Sequence, residues 1–217
     1  MNLNESYIKS KEKLAQLFGR NKKSEFEEPN NKQINRLPPG QRLVNNFPIL
    51  DLGIQPMFFE NKYRFEVTGL VENPISLTWE EFKKLPKSEI TADFHCVTKW
   101  SKFDVKWGGV MMKDLLAIVK PKSNAKFIMQ YGLDSYTTNV PIEKIQADNV
   151  ILASELNGDP LPKEHGAPLR MIIPDLYAWK GSKFLTKIEF IEKDKLGFWE
   201  VRGYSNKANP WKEERYS

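Results

Sequence analysis

DFHCVTKWSKFDVKWGGVMM, residues 93–112, holds the one cysteine of the chain, Cys96, and one of its two histidines, His95. Trp100 and Trp107 follow, and Gly108-Gly109 comes near the end of the stretch. A lone thiol has no internal disulfide partner. One thiol and one imidazole are too few ligands for a closed zinc site. If Cys96 does chemistry, it is either a nucleophile or the single protein ligand of a metal that arrives with its own donors. Otherwise it is a small buried hydrophobe, the commoner fate of a free cysteine. Ile90–Phe94 reads as a short strand, and Thr98, Lys99, Ser101 and Lys102 form a polar run behind it. The thiol therefore falls at a strand end where a loop begins, a frequent place for a site.

Working outward, 217 residues suit one large domain or two small ones, and 40% apolar and 12% aromatic content supplies a core. The net charge is +5, with Lys and Asp/Glu interspersed. That is a solvated surface and not a nucleic-acid footprint. No apolar run approaches the about eighteen residues of a membrane span. The N-terminal MNLNESYIKSKEKL has no apolar signal core and no twin arginine, so a cytoplasmic protein is expected. Residues 1–35 read as a charged, partly flexible arm, with a weak helix over about Glu5 to Phe18 and a flexible remainder up to Gln33. A single domain is expected over residues 36–217.

Within that domain Leu37-Pro38-Pro39-Gly40 is a turn signal. Residues 62–69 alternate as a half-buried strand. Thr78 and Glu81 form a capping box for a short helix that Pro86 ends. Residues 112–119 and 142–145 read as helical. Residues 126–131, 136–140, 150–156 and 184–191 read as strands. Short strands mixed with short helices, without a βαβ rhythm, predict an α+β fold with mixed or antiparallel sheets.

A second informative stretch is LPKEHGAPLRMII, residues 161–173, followed by PDLYAWKGSKF, residues 174–184. Prolines at 162 and 168 exclude an ordinary strand or helix there. Gly181-Ser182 lies between Lys180 and Lys183, a turn able to offer N–H groups and positive charge to a phosphate. His165 is the other imidazole, so a Cys96–His165 thiol hydrolase stays open. No P-loop, G-x-G-x-x-G, G-x-S-x-G or C-x-x-C-H motif occurs.

Together, VNNFP (44–48), TGLVENPISLTWEEF (68–82), DFHCVTKWSKFDVKWGGV (93–110), HGAPLRMIIPDLYAWKGSKF (165–184), GFWEVRGYS (197–205) and NPW (209–211) resemble one family. It is that of the sulfite oxidase-type molybdopterin-dependent oxidoreductases, above all the short bacterial members with only the molybdenum domain. The resemblance covers about residue 36 to the C-terminus. It implies the fold of that family and Mo-molybdopterin as cofactor. Cys96 would be the metal ligand, and one soft thiolate suffices because the metal brings the pterin dithiolene with it. Asn45 and the backbone around Pro48 and Ile49 match the segment that meets the pterin. His165 and Arg170 match positions at its polar edge and phosphate, and Gly181, Ser182 and Lys183 the turn gripping the phosphate end. Tyr136 and Trp100 are the candidates for the substrate pocket.

The implied reaction is two-electron oxygen-atom transfer on a small molecule, with electrons exchanged with an unidentified partner protein. A non-catalytic Mo-pterin-binding protein of the same fold is the alternative. Sulfite-oxidising members carry arginines where this chain has Val44 and Ser101. Each charged hydrogen bond so lost is worth about 1.5–3 kcal/mol. A sulfoxide or N-oxide is thus expected ahead of sulfite. The family's haem and dimerisation domains have no counterpart in the sequence, and a monomer is expected.

Overall fold

The computed structural model describes residues 35–53 and 55–217, residues 5, 6, 8–10 and 13, and the backbone of 26–27. Its strands are β1 (Phe26–Glu27), β2 (Arg42–Val44), β3 (Arg64–Gly69), β4 (Ile75–Thr78), β5 (Ser88–Cys96), β6 (Trp100–Met111), β7 (Phe127–Gly132), β8 (Thr137–Pro141), β9 (Ile151–Leu156), β10 (Asp159–Pro160), β11 (Arg170–Ile172) and β12 (Leu185–Ile191). The helices are α1 (Trp79–Lys83), α2 (Met112–Val119) and α3 (Ile142–Ile145), with 3-10 turns between them.

The strands form two sheets. A seven-stranded sheet runs β1-β2-β6-β9-β10, with β5 added on β6 and β11 on β9. A five-stranded sheet runs β4-β3-β12-β7-β8. The β2/β6 and β3/β12 pairs are parallel and the others antiparallel. This is the expected α+β architecture with mixed sheets. The main core draws on both sheets: Phe65 and Val67 from β3, Ile188 from β12, Val110 from β6 and Leu152 from β9, closed by Met112 and Leu115 of α2.

Local chemistry sets the elements. Tyr63, Phe65 and Val67 are buried while the residues between them are not, the period of a half-buried strand. Thr78 Oγ1 accepts the Glu81 N–H at 3.1 Å, and the Glu81 carboxylate accepts the Thr78 N–H at 2.8 Å, so the capping box is made.

The sequence reading assigns no element to residues 100–111, yet β6 fills that span and is the central strand of the larger sheet. Lys102, Asp104 and Lys106 make it look like a loop. They are the less buried half of an alternation whose other half, Phe103, Val105 and Trp107, is buried. Gly108-Gly109 forms a bulge. The register against β9 shifts there, and a Cβ on Gly109 would lie 2.0 Å from the Leu152 carbonyl oxygen.

The N-terminal arm is helical at Glu5, Ser6, Ile8, Lys9, Ser10 and Lys13. Ile8 is buried against Leu52, Tyr136 and Phe198, and β1 pairs with β2. The remainder of the expected helix up to Phe18, and most of the expected flexible stretch up to Gln33, lie outside the described residues. Trp199, Tyr204 and Trp211 of the C-terminal tail sit in ordered turns, and an isolated bridge joins Tyr204 to Tyr216.

Candidate active site

Cys96 is the last residue of β5 and pairs with Trp100 across a turn of only three residues. The polar run behind the thiol is thus a tight hairpin. Its turn is pinned by β2 and the residue before it: Gln41 Nε2 donates to the Cys96 carbonyl at 2.9 Å, and the Arg42 N–H to the Lys99 carbonyl at 3.0 Å. On the outer face Arg36 makes a two-pronged contact with Asp93 and also pairs with Asp104. The thiol is buried, and its Sγ lies 3.2 Å from Thr98 Oγ1. Burial pushes the thiol upward, and the hydrogen bonds from Thr98 oppose that.

The thiol opens into a cleft of about 990 Å³, solvent at the mouth included. Distant segments build it. Phe47, Pro48, Leu50 and Leu52 form one wall, and Phe94 and Trp100 of the hairpin another. Asp134 and Tyr136 come from the β7–β8 turn, Trp179, Gly181 and Lys183 from the turn after β11, and Trp199 and Tyr204 from the tail. His165 and Arg170 complete it.

Arg170, the first residue of β11, carries the most informative electrostatics. It is 3% exposed. Its Nη1 donates to the His165 carbonyl at 2.8 Å, its Nε has no partner, and no described carboxylate pairs with it. The guanidinium lies over Phe94 and Trp107, 5.2 and 5.4 Å from their ring centroids. Burial pushes it down to about 10. A buried cation without a counter-ion is costly unless an anion occupies the space beside it.

Lys183 adds a second positive charge. Its Nζ donates to the carbonyls of Leu50 (2.6 Å) and Glu164 (2.7 Å), tying the 47–52 wall to the turn. Burial first and the Arg170 charge second bring it down to about 7. Gly181 lines the cleft and must be glycine, because a Cβ there would lie 2.1 Å from the Met171 carbonyl oxygen. Ser182 stands behind the wall: its N–H donates to Gln130 Oε1 at 2.9 Å and its hydroxyl to the Lys183 carbonyl at 3.0 Å.

Beneath this turn Lys180 and Glu200 form a fully buried ion pair at 2.7 Å, and Lys180 also donates to Asn139. The pair joins the Gly181–Lys183 turn to the tail that supplies Trp199 and Tyr204.

The remaining candidates divide. Pro48 and His165 line the cleft. Asn45 and Ile49 are exposed and do not; the Asn45 carbonyl accepts Lys102 Nζ at 2.7 Å. Trp100 faces the cleft stacked on Phe94, whereas Ser101 is buried on the other side with its Oγ 2.8 Å from His95 Nδ1. Tyr136 lines the cleft, but its hydroxyl donates to the Trp179 carbonyl at 2.5 Å. His165 is pushed down to about 4, chiefly by burial, and packs 4.5 Å from the Phe47 ring. The hydrogen-bond partner of Cys96 is Thr98 and not His165. Together with a thiol pushed upward, this disfavours the Cys–His hydrolase reading.

Sequence reasoning missed Phe47, Asp134, Trp179, Trp199 and Tyr204 as parts of the site. The aromatic tail 197–205 was the signal available for the last two.

Residues 52–199 match the family described as the oxidoreductase molybdopterin binding domain, well over half of the chain. The chain belongs to that family. It is therefore a molybdopterin-dependent oxidoreductase, and its cofactor is Mo-molybdopterin. It is similar to the uncharacterized oxidoreductase YuiH of Bacillus subtilis, 36% identical over 201 residues that cover 92% of this chain and 98% of that protein. It is also similar to the protein-methionine-sulfoxide reductase catalytic subunit MsrP of Campylobacter jejuni, at 29% identity, covering 66% of this chain and 54% of that one. Among solved structures, the sulfane dehydrogenase SoxCD of Paracoccus pantotrophus superposes with a TM-score of 0.58 at 26% identity, covering 64% of this chain and 40% of that one. The chain thus spans nearly all of YuiH and about half or less of the other two. Among the described residues no helix is long and apolar enough to cross a membrane.

Proposed function

We propose that this enzyme transfers an oxygen atom to or from a small, weakly charged substrate, a sulfoxide or N-oxide ahead of a sulfite-like oxyanion. The observation that carries the reading is the cleft shared by the lone thiol and the unneutralised Arg170 guanidinium. The donor set suits the cofactor. Among the described residues no cluster of three or more His, Cys, Asp or Glu could hold a metal alone. One soft thiolate is what a metal already chelated by a dithiolene needs. Cys96 would be that ligand. Arg170 and Lys183, with the Gly181 turn, would hold the anionic end of the cofactor, and Pro48 and His165 would flank the ring system. When bound, the cofactor supplies the two-electron redox couple and the oxygen acceptor or donor.

The chain's own part is to bind, orient and exclude water. With Arg170 and Lys183 assigned to the anion-holding end, no further arginine lines the cleft among the described residues to hold a dianionic substrate. Trp100, Trp179, Trp199 and Tyr204 offer an apolar aromatic surface, suited to a thioether-like or heteroaromatic group. The name of the Campylobacter relative, a methionine-sulfoxide reductase, favours the same class. Tyr136, with its hydroxyl engaged by Trp179, would orient that wall. We read the enzyme as a cytoplasmic monomer served by a separate electron-carrying protein, with residues 36–217 as its working domain.

The test is elemental analysis of the purified protein, joined to dye-linked assays with sulfoxides, N-oxides and sulfite. Stoichiometric molybdenum with turnover of a neutral oxide is expected; Cys96→Ala should lose the turnover and change the metal's spectrum. Sulfite turnover far above that of the neutral oxides would refute the substrate class.

A further inference from the structure

Thr98 hydrogen-bonds the Cys96 sulfur, and the direction of that bond depends on what the sulfur carries. In the free thiol either atom can donate across the 3.2 Å contact. A thiolate bound to a metal has no proton, so the hydroxyl must be the donor. Thr98 Oγ1 has no other partner among the described residues, and its side chain lines the same cleft as Cys96.

The turn leaves the hydroxyl little freedom. Lys99 N–H donates to the Cys96 carbonyl at 3.2 Å, Gln41 Nε2 to the same carbonyl at 2.9 Å, and β2 holds the Lys99 carbonyl. A β-branched side chain within so pinned a turn has few rotamers. The contact is therefore preformed.

We propose that Thr98 is a positioning residue for the metal site, whose hydroxyl donates to the ligating sulfur, fixes its rotamer and draws charge from it. This rests on the reading of Cys96 as the metal ligand. A donor on a ligating sulfur stabilises the more electron-rich, reduced centre, as hydrogen bonds to sulfur do at other thiolate-bound metals. With the hydroxyl removed, the sulfur is a stronger donor and the oxidised centre is favoured.

The experiment compares holoenzymes carrying Thr98→Val, Thr98→Ala and Thr98→Ser by metal content, melting temperature, the paramagnetic resonance of the metal and its midpoint potential. Valine is isosteric and should leave metal content and melting at parent values. Both Val and Ala should lower the potential and alter the resonance, and Ser should keep both near the parent. The backbone is the same in all three variants, so the shift isolates the hydroxyl. Val and Ala proteins with the parent potential and spectrum overturn the proposal, and so does a Ser protein shifted as far as Val. A Cys96→Ala protein that keeps the parent spectrum sinks the ligand assignment, and this proposal with it. An altered Cys96→Ala spectrum beside an unaltered Thr98→Val one sinks the role of the hydroxyl alone.

Discussion

Replacing Arg170 with methionine should leave the cofactor-free protein about as stable as the parent while stripping its ability to keep the cofactor. Two opposing quantities set the first outcome. Burial holds the guanidinium at about 10, well below its ordinary value, which amounts to roughly 3 kcal/mol against the buried cation. The faces of Phe94 and Trp107 return about 0.5–1 kcal/mol each. Methionine removes the charge and packs against the same rings, but leaves the His165 carbonyl without its donor, at about 1–3 kcal/mol.

These nearly cancel, so denaturant melts of apo Arg170→Met should fall within about 1–2 kcal/mol of the parent. The cofactor side does not cancel. Two charge-assisted hydrogen bonds to an anion, at about 1.5–3 kcal/mol each, weaken retention by about 10²–10⁴-fold. Molybdenum per chain after gel filtration measures this directly. A variant that keeps the parent metal content would refute the reasoning, because the buried cation would then have some other purpose.

The buried Lys180–Glu200 pair should behave asymmetrically. Lys180→Ala leaves a fully buried carboxylate unpaired and should cost about 3–5 kcal/mol in denaturant melts, while Lys180→Met with Glu200→Leu should recover most of that loss. Gly181→Ala places a methyl carbon 2.1 Å from the Met171 carbonyl oxygen, so the turn must move; a lower melting temperature and reduced molybdenum content are expected.

Apo stability should fall as pH drops from about 6.5 towards 4. His95 and His165, both held down to about 4 mainly by burial, stay neutral in the folded chain while the unfolded chain takes up protons. Asp134, pushed up to about 6 by burial, works the other way: its contribution is present below its ordinary range and is lost as pH rises through 6. Two histidines outweigh one carboxyl, and thermal melts of a His95→Gln, His165→Asn double variant should show a flatter acid limb. An acid limb as steep as the parent's would exclude the histidines as its source.

Local rules determined a good part of this protein from sequence alone. The capping box at Thr78 and Glu81, the 3.6-residue apolar pattern of α2 and the two-residue alternation of β3 each depend on residues within one element, so reading the chain in order finds them. The family was also legible, because the solitary Cys96, the HGAPLR stretch and the Lys-Gly-Ser-Lys turn appear together and in order. The central strand β6 was not, because its charged half reads as solvent-facing loop until β5, β2 and β9 are known to surround it.

Within the cleft the division is the same. That Cys96, Arg170 and Lys183 are chemically notable follows from residue type. That Arg170 has no carboxylate partner among the described residues, that the Tyr136 hydroxyl is spent on the Trp179 carbonyl and that Ser182 and Asn45 face elsewhere were decided by packing. Phe47, Asp134, Trp179, Trp199 and Tyr204 enter from segments up to about 150 residues apart, brought together by the two sheets. Sequence spacing carries no distance across such separations. Burial and hydrogen-bond partners, which fix the charge state and reach of every group in the cleft, exist only once the sheets have closed around it.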